Sequence, residues 1–113
     1  MGLVLQVYLD DQKVYVCFKC NTHIALHSDI VSKAFQGRHG RAILFANAYN
    51  VTPGEKEDRM LITGEHTVAD VHCNTCQTLL GWYYYYAAVG EERYKEGKYA
   101  IEKKLISKDP QWT

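Results

Sequence analysis

Two matched cysteine pairs constrain this chain more than any other feature: Cys17-Phe18-Lys19-Cys20 and Cys73-Asn74-Thr75-Cys76, with residues 21–72 between them. There is no fifth cysteine. A C-x2-C turn brings two thiolates within reach of one metal ion while leaving backbone amides free to donate to the sulfurs. Two such turns complete a closed tetrahedral shell of thiolates, which is how structural zinc is held. The expectation is one structural Zn2+ bound by Cys17, Cys20, Cys73 and Cys76. An ion so saturated has no open position for water or substrate, so it holds the fold together and does no chemistry. Closing a loop of this length costs about 3.5 kcal/mol. Zinc sites in small peptides contribute on the order of 10–16 kcal/mol. The metal-free chain is therefore expected to be partly or wholly unfolded.

Disulfides and thioredoxin-type redox chemistry are the competing readings of the same cysteines. Disulfides need an oxidising compartment, and no secretory signal is visible. Met1-Gly2-Leu3-Val4-Leu5-Gln6 lacks a basic segment, and Asp10-Asp11 interrupts the apolar run early. A redox C-x-x-C belongs at a strand-to-helix turn of a βαβ unit, and nothing here alternates that way. At 113 residues the chain reads as one domain, 1–113, with a core of modest size. Its 13 Lys and Arg balance 13 Asp and Glu, and a divalent ion among four thiolates leaves the holo protein slightly acidic. Electrostatic capture of nucleic acid or an anionic membrane is not expected as the main activity. No apolar stretch is long enough to span a bilayer. Gln6 stands where a myristoylation signal beginning at Gly2 has Ser or Thr. A soluble, intracellular protein is expected.

Short apolar segments with glycine punctuation predict an all-β domain with little helix. Strands are expected over residues 3–9, 14–16 running into the first knuckle, 22–26 leaving it, and 42–45. Asp10-Asp11 reads as a turn, 29–35 is ambiguous between a helical turn and an extended segment, and 37–41 reads as a glycine-flanked loop. Pro53-Gly54 followed by Glu55 to Arg59 reads as a charged turn. Further strands are expected at 60–63, 67–71 and 79–86. Residues 91–96 suit one helical turn stopped by Gly97, and 98–107 a last strand before Pro110. A metal stapling two distant hairpins suggests two small sheets clamped at one end. The segment from Lys108 to Trp112 is open to two readings, docked or frayed.

In this order the residues resemble the yippee and yippee-like zinc-binding proteins of eukaryotes. The cysteine spacing carries the resemblance first. It continues through Asp29-Ile30-Val31-Ser32-Lys33, Gly40-Arg41-Ala42-Ile43-Leu44-Phe45, Asn50-Val51 and Gly54-Glu55-Lys56-Glu57-Asp58-Arg59. Thr63-Gly64, His66-Thr67-Val68-Ala69-Asp70, Gly81-Trp82, Tyr84, Tyr94-Lys95-Glu96-Gly97-Lys98-Tyr99 and Glu102 complete it. The resemblance implies a β-tent, two antiparallel sheets set at a steep angle and pinned by a four-cysteine zinc site. The thalidomide-binding domain of cereblon and the type-B methionine sulfoxide reductases share that architecture. It also implies residence in nucleus and cytoplasm, links to centrosome and spindle, and for some members a place in a C-terminal-to-LisH (GID-type) E3 ubiquitin ligase. It implies no catalytic activity.

Trp82-Tyr83-Tyr84-Tyr85-Tyr86 is the second constraining feature. Strand periodicity places Trp82, Tyr84 and Tyr86 on one face and Tyr83 and Tyr85 on the other. Two readings stand: the rings fill a small core, or Trp82 and Tyr84 line a groove for a ligand or partner, with His66 beside it. Trp82 and Tyr84 resemble two aromatics of the cereblon cage, whose remaining aromatics are absent here. Tyr83 and Tyr85 replace the lysine and glutamate usual in the family, and Glu65 replaces a small or apolar residue. His23 and His72 lie close enough in sequence to the cysteines to replace a thiolate, but four cysteines suffice and an outer supporting role is expected. His27 and His39 carry no signal. Arg38, His39 and Arg41 in their glycine-flanked loop can grip a phosphate, but a solvated loop is expected.

Reductase chemistry needs a nucleophilic cysteine outside the metal site, and none exists. Deaminase chemistry needs an open zinc and an H-x-E motif. No serine has an evident histidine–carboxylate constellation. The expectation is a non-enzymatic protein-interaction module, in a ubiquitin ligase or a cell-cycle or stress assembly. The alternative is a reader of a small ligand or modified peptide through the aromatic groove.

Overall fold

The computed structural model describes residues 7–10 and 13–112. Ten strands run through them: β1 (Val14–Cys17), β2 (His23–Leu26), β3 (Ile30–Gly37), β4 (Gly40–Phe45), β5 (Val51–Pro53), β6 (Glu57–Leu61), β7 (Gly64–Cys73), β8 (Leu79–Ala87), β9 (Tyr99–Glu102) and β10 (Ile106–Lys108). Short 3₁₀ helices occupy His27–Asp29, Gly90–Lys95 and Lys103–Leu105. Three strands form a small sheet in the order β10-β1-β2. Seven form a large one in the order β3-β4-β9-β8-β7-β5, with β6 also paired to β7. Every pairing is antiparallel. The fold is the expected two-sheet β architecture, with sheets of unequal size.

The large sheet has two differently used faces. Along β4, Ile43 and Phe45 point toward the small sheet and join Tyr15, Ile24, Leu80, Ile101, Ile106 and two of the cysteines in the main core. Leu44 points the other way, packing with Val68, Tyr84 and Ala100. All four residues of β1 are buried. Tyr15 and Cys17 belong to the main core, while Val14 and Val16 are covered from outside by Leu9, Leu26 and Tyr49.

Several expectations are corrected. The strand expected over residues 3–9 falls mainly on residues outside those described, and Val7 to Asp10 carry no regular structure. The turn read at Asp10-Asp11 includes Asp11, also outside them. Residues 29–35 resolve into the end of a 3₁₀ turn and then β3. Glu57 to Arg59, read as a charged turn, belong to β6; this strand pairs on one side only, with β7, and its charges stand at a wet edge. The single last strand is two strands in different sheets. The 3₁₀ turn at Lys103–Leu105 carries the chain from β9 in the large sheet to β10 in the small one. Residues 108–112 dock: the Asp109 amide donates to the Val14 carbonyl (2.9 Å), and Trp112 packs edge-on against Tyr15 at 5.0 Å.

A bulge also changes the reading of the aromatic run. Val68 pairs with Tyr84, but Thr67 pairs with Tyr86, so Tyr85 is an extra residue in β8. The shift moves Tyr86 off the face shared by Trp82 and Tyr84, and its ring is exposed. Tyr83 lies between Tyr85 and Tyr99, with centroids 4.7 Å from each, edge-on to the first and tilted against the second.

Gly81 is where β8 comes too close to β9 for any side chain. A β-carbon there would fall 1.9 Å from the Ala100 carbonyl oxygen. Gly81→Ala is expected to separate the central strands and lower stability by about 2 kcal/mol or more. Urea denaturation measures this, and an unchanged midpoint would contradict the close approach.

Candidate metal centre and aromatic pocket

The two cysteine pairs sit at equivalent places in different sheets. Cys17–Cys20 turns from β1 into β2, and Cys73–Cys76 turns from β7 into β8. The turns are built alike. In the first, the Cys17 amide donates to the Thr22 carbonyl and the Asn21 amide to the Cys17 carbonyl, each at 2.9 Å. In the second, the Cys73 amide donates to Thr78 and the Gln77 amide to Cys73, again at 2.9 Å. Asn21 and Gln77 both take the left-handed conformation, with φ of 63° and 64°. The Thr22 hydroxyl lies 3.0 Å from Cys20 Sγ, and the Thr78 hydroxyl lies 3.0 Å from Cys76 Sγ. Thr22 also donates across the junction to the Thr75 hydroxyl at 2.9 Å. The sequence signal for these threonines is a repeated C-x2-C-[N/Q]-T, longer than the cysteine pair alone.

All four Sγ atoms lie within 4.8 Å of one another. The Cys17–Cys76 and Cys20–Cys73 separations are both 3.6 Å. A tetrahedral thiolate shell around zinc has sulfur–sulfur edges of about 3.8 Å, so the donor set fits such an ion. The thiols are free rather than bridged. Burial pushes the Cys17 thiol up to about 12 and raises that of Cys73. Burial opposes ionisation of Cys76 too, but the Thr78 hydroxyl and amide and the neighbouring thiols outweigh it and bring Cys76 down to about 6. A bound cation offsets the cost of collecting four thiolates here. No histidine joins the cluster among the described residues. His23 is turned away, accepting from the Leu9 amide on Nδ1 (3.0 Å) and facing Asp109 with Nε2 (3.1 Å). His72 lies in the register of β7 opposite Thr52 and Leu79.

The outer face of the large sheet carries a pocket of about 640 Å³. Phe35, Leu61, Val68, Trp82 and Tyr84 line its apolar part. Tyr84 is buried, and burial raises its phenol above the ordinary value. Trp82 is half-buried, and its shielded indole N–H makes no hydrogen bond of full geometry, although it faces the Tyr84 phenol closely enough to work against the rise that burial imposes there. His66 does not line this pocket. It lies one layer deeper, wholly buried, 5.4 Å from the Tyr84 ring centroid, with Nδ1 2.9 Å from the Gly64 carbonyl and Nε2 unpartnered.

Charges of both signs rim the pocket. Arg59 pairs with Asp70 at 3.0 Å and also with Glu57. Buried Lys95 pairs with Glu92, donates to the Thr63 hydroxyl (3.1 Å), and stands 5.2 and 5.4 Å from the Phe35 and Tyr84 centroids. The Lys95 hydrogen bond lowers the Glu92 carboxyl. Buried Glu102 accepts from the His39 amide at 2.7 Å and faces its ring at 3.2 Å. Nothing in the sequence groups Lys95, Arg59 and Glu102 as site residues, because each comes from a separate element. Arg38 also lines the pocket, whereas His39 and Arg41 do not.

Residues 13–112 match the family model described as Yippee zinc-binding/DNA-binding/Mis18, centromere assembly. The chain belongs to this family. It is 50% identical over 108 residues to protein yippee-like 3 of Homo sapiens, covering 95% of this chain and 91% of that protein. A yippee-like protein of Arabidopsis thaliana is 53% identical over 97 residues, covering 86% of this chain and 92% of its own length. Among solved structures, the Mis18 "Yippee-like" domain superposes with a TM-score of 0.67 at 14% identity, covering 88% of this chain and 96% of that one. That likeness is one of fold. Yippee-Mis18 membership agrees with a four-cysteine cluster able to hold a metal ion.

Two outcomes are expected at the metal centre. Replacing both Thr22 and Thr78 by valine should weaken zinc affinity at least about tenfold, since groups that orient metal ligands commonly contribute that much; competition with a chromogenic chelator reads it. Zinc uptake should also release protons at neutral pH. The raised thiols of Cys17 and Cys73 are protonated there in the metal-free chain and must ionise to bind, so affinity rises with pH. Calorimetry in buffers of different ionisation enthalpy tests this, and a binding heat independent of buffer would contradict it.

Proposed function

We propose that this Yippee-Mis18 family member is a non-enzymatic protein-interaction module that receives a partner's peptide segment in the Trp82/Tyr84 pocket. One structural Zn2+ held by Cys17, Cys20, Cys73 and Cys76 clamps the two sheets. The observation that carries the reading is the apolar-floored pocket of about 640 Å³, in which the shielded Trp82 N–H lacks a fully formed hydrogen bond. A buried donor without an acceptor costs about 1–3 kcal/mol, and a peptide or amide carbonyl entering the pocket would supply one. The rim carries no strong bias of sign, because Arg38, Arg59 and Lys95 are matched by Asp70, Glu92 and Glu102. A dipolar, neutral guest with an apolar side chain suits it better than an anion. His66 supports Tyr84 from behind in this reading.

The finer role we propose is that of subunit or adaptor in a C-terminal-to-LisH (GID-type) E3 ubiquitin ligase, or in a cell-cycle or stress assembly, working in nucleus and cytoplasm. The family description also names DNA binding and centromere assembly; the zero formal charge favours a protein partner. All four cysteines are committed to the cluster, leaving no thiol for nucleophilic catalysis. A second reading, a reader of a small ligand or modified peptide, uses the same pocket and the same indole donor.

Trp82→Phe removes the donor while retaining a ring, and Trp82→Ala empties that wall. Tyr84 is part of the core, so truncating it tests folding more than binding. Both Trp82 variants are expected to remain folded with full zinc content and to lose at least about tenfold in partner affinity, the value of one well-made hydrogen bond in a desolvated site. Affinity purification followed by mass spectrometry from cells supplies the partner. Unchanged recovery with zinc-replete Trp82→Ala would sink the pocket as the interaction site. A chain purified alone, stabilised thermally only by a small carbonyl compound, would favour the reader.

A further inference from the structure

A second cleft, of about 310 Å³, opens on the opposite side of the large sheet, where β1 and β10 approach β3 and β4. Tyr15, Ile43 and Ile106 lie at its apolar base. Lys33 from β3, Arg41 from β4, Lys103 from the 3₁₀ turn and Lys108 from β10 also line it, and no carboxylate does. The acids adjacent to these cations in the chain are engaged elsewhere. Glu102, next to Lys103, is buried on the aromatic-pocket side against His39. Asp109, next to Lys108, faces His23 at 3.1 Å and accepts from the Gln111 amide at 2.9 Å. None of the four cations takes part in an ion pair among the described residues. The Lys108 ammonium instead stands 5.0 Å from the Trp112 ring centroid.

Four cations gathered from four elements, on a chain of zero formal charge, repel one another unless an anion lies between them. We propose that this cleft binds the phosphate of a phosphorylated serine or threonine on a partner polypeptide. A phosphomonoester carries nearly two charges on three strong acceptor oxygens, which suits several cations converging on one small volume. The Arg41 guanidinium can meet two phosphate oxygens at once. Nucleic acid spreads one charge per phosphate along a strand and calls for a longer basic track. The cleft is near the lower end of ligand-pocket volumes, about 300 Å³, enough for one phosphorylated side chain. This site is separate from the Trp82/Tyr84 pocket, and either stands without the other.

The test uses the full zinc-loaded chain and nuclear magnetic resonance titration with a short capped Gly-Ser peptide carrying one phosphoserine, beside its unphosphorylated twin. Shifts at the Trp112 indole and the Lys103 and Lys108 amides are expected, with affinity at least about tenfold higher for the phosphorylated form. Inorganic phosphate should displace it on the wild-type chain, and added salt should weaken it. Arg41→Gln with Lys108→Gln, both at exposed positions, should abolish the preference, whereas Arg93→Gln, on the 3₁₀ helix of the other face, should leave it intact. Equal affinity for the two peptides would overturn the proposal. So would a single-stranded oligonucleotide that binds at this cleft, lost in the double variant, where the phosphopeptide does not.

Discussion

Four cysteine sulfurs gathered within 4.8 Å of one another, close enough to share a metal ion, are the constraint on which the rest of this fold depends. Each sheet contributes one complete cysteine turn, so the cluster forms only when both sheets are in place and facing correctly. The main core then fills the space below it, with Tyr15 and Ile24 of the small sheet meeting Phe45, Leu80 and Ile101 of the large one. The turns at His27–Asp29 and Lys103–Leu105 also tie the sheets, through the chain itself. A small β-domain with a limited core gains from both devices, because the area that it can bury is modest for its length.

Fixing the sheets this way leaves the outer face of the large sheet only partly covered, by the 3₁₀ turn at Gly90–Lys95. Tyr84, Val68 and Leu44 make a second, shallower cluster there, and Trp82 and Phe35 complete it without sealing it. The result is an apolar depression whose rim carries charges of both signs, several of them paired across it. The opposite side differs in kind: there the rim is cationic throughout and lacks counter-charges. Strand alternation separates the two, since neighbouring residues such as Ile43 and Leu44 serve different faces.

Much of the architecture was legible because its signals are local. The cysteine turns, β4, β7 and β8 all announce themselves by spacing or by apolar and β-branched runs. Elements that depend on tertiary context were not legible. Glu57 to Arg59 look like a turn because an edge strand can keep its charges in water. Residues 98–107 look like one strand because nothing local says that Tyr99 and Ile106 pair in different sheets. Simple alternation places Tyr86 on the Trp82 face, and one inserted residue, Tyr85, reverses that. For the sites, the ligating cysteines were visible, while the hydroxyl-bearing Thr22 and Thr78 needed the longer repeat to be seen. Whether Trp82 faces a core or a pocket is decided by what fails to cover it, which no pattern in the strand encodes. The basic cleft is hidden by averaging: a neutral total conceals Lys33, Arg41, Lys103 and Lys108, which come together only on folding.

The near-identity of the two cysteine turns has a kinetic consequence. Each is a self-contained bidentate chelator with its own left-handed residue and its own threonine hydroxyl, and each belongs to a different sheet. If the sheets part briefly, a bound ion would stay with one chelating half while the other swings free on a short tether. The freed pair would return at high effective concentration, so recapture would outpace escape. Brief opening of the junction and loss of a metal would then be separate events, and such a clamp would tolerate the first without incurring the second.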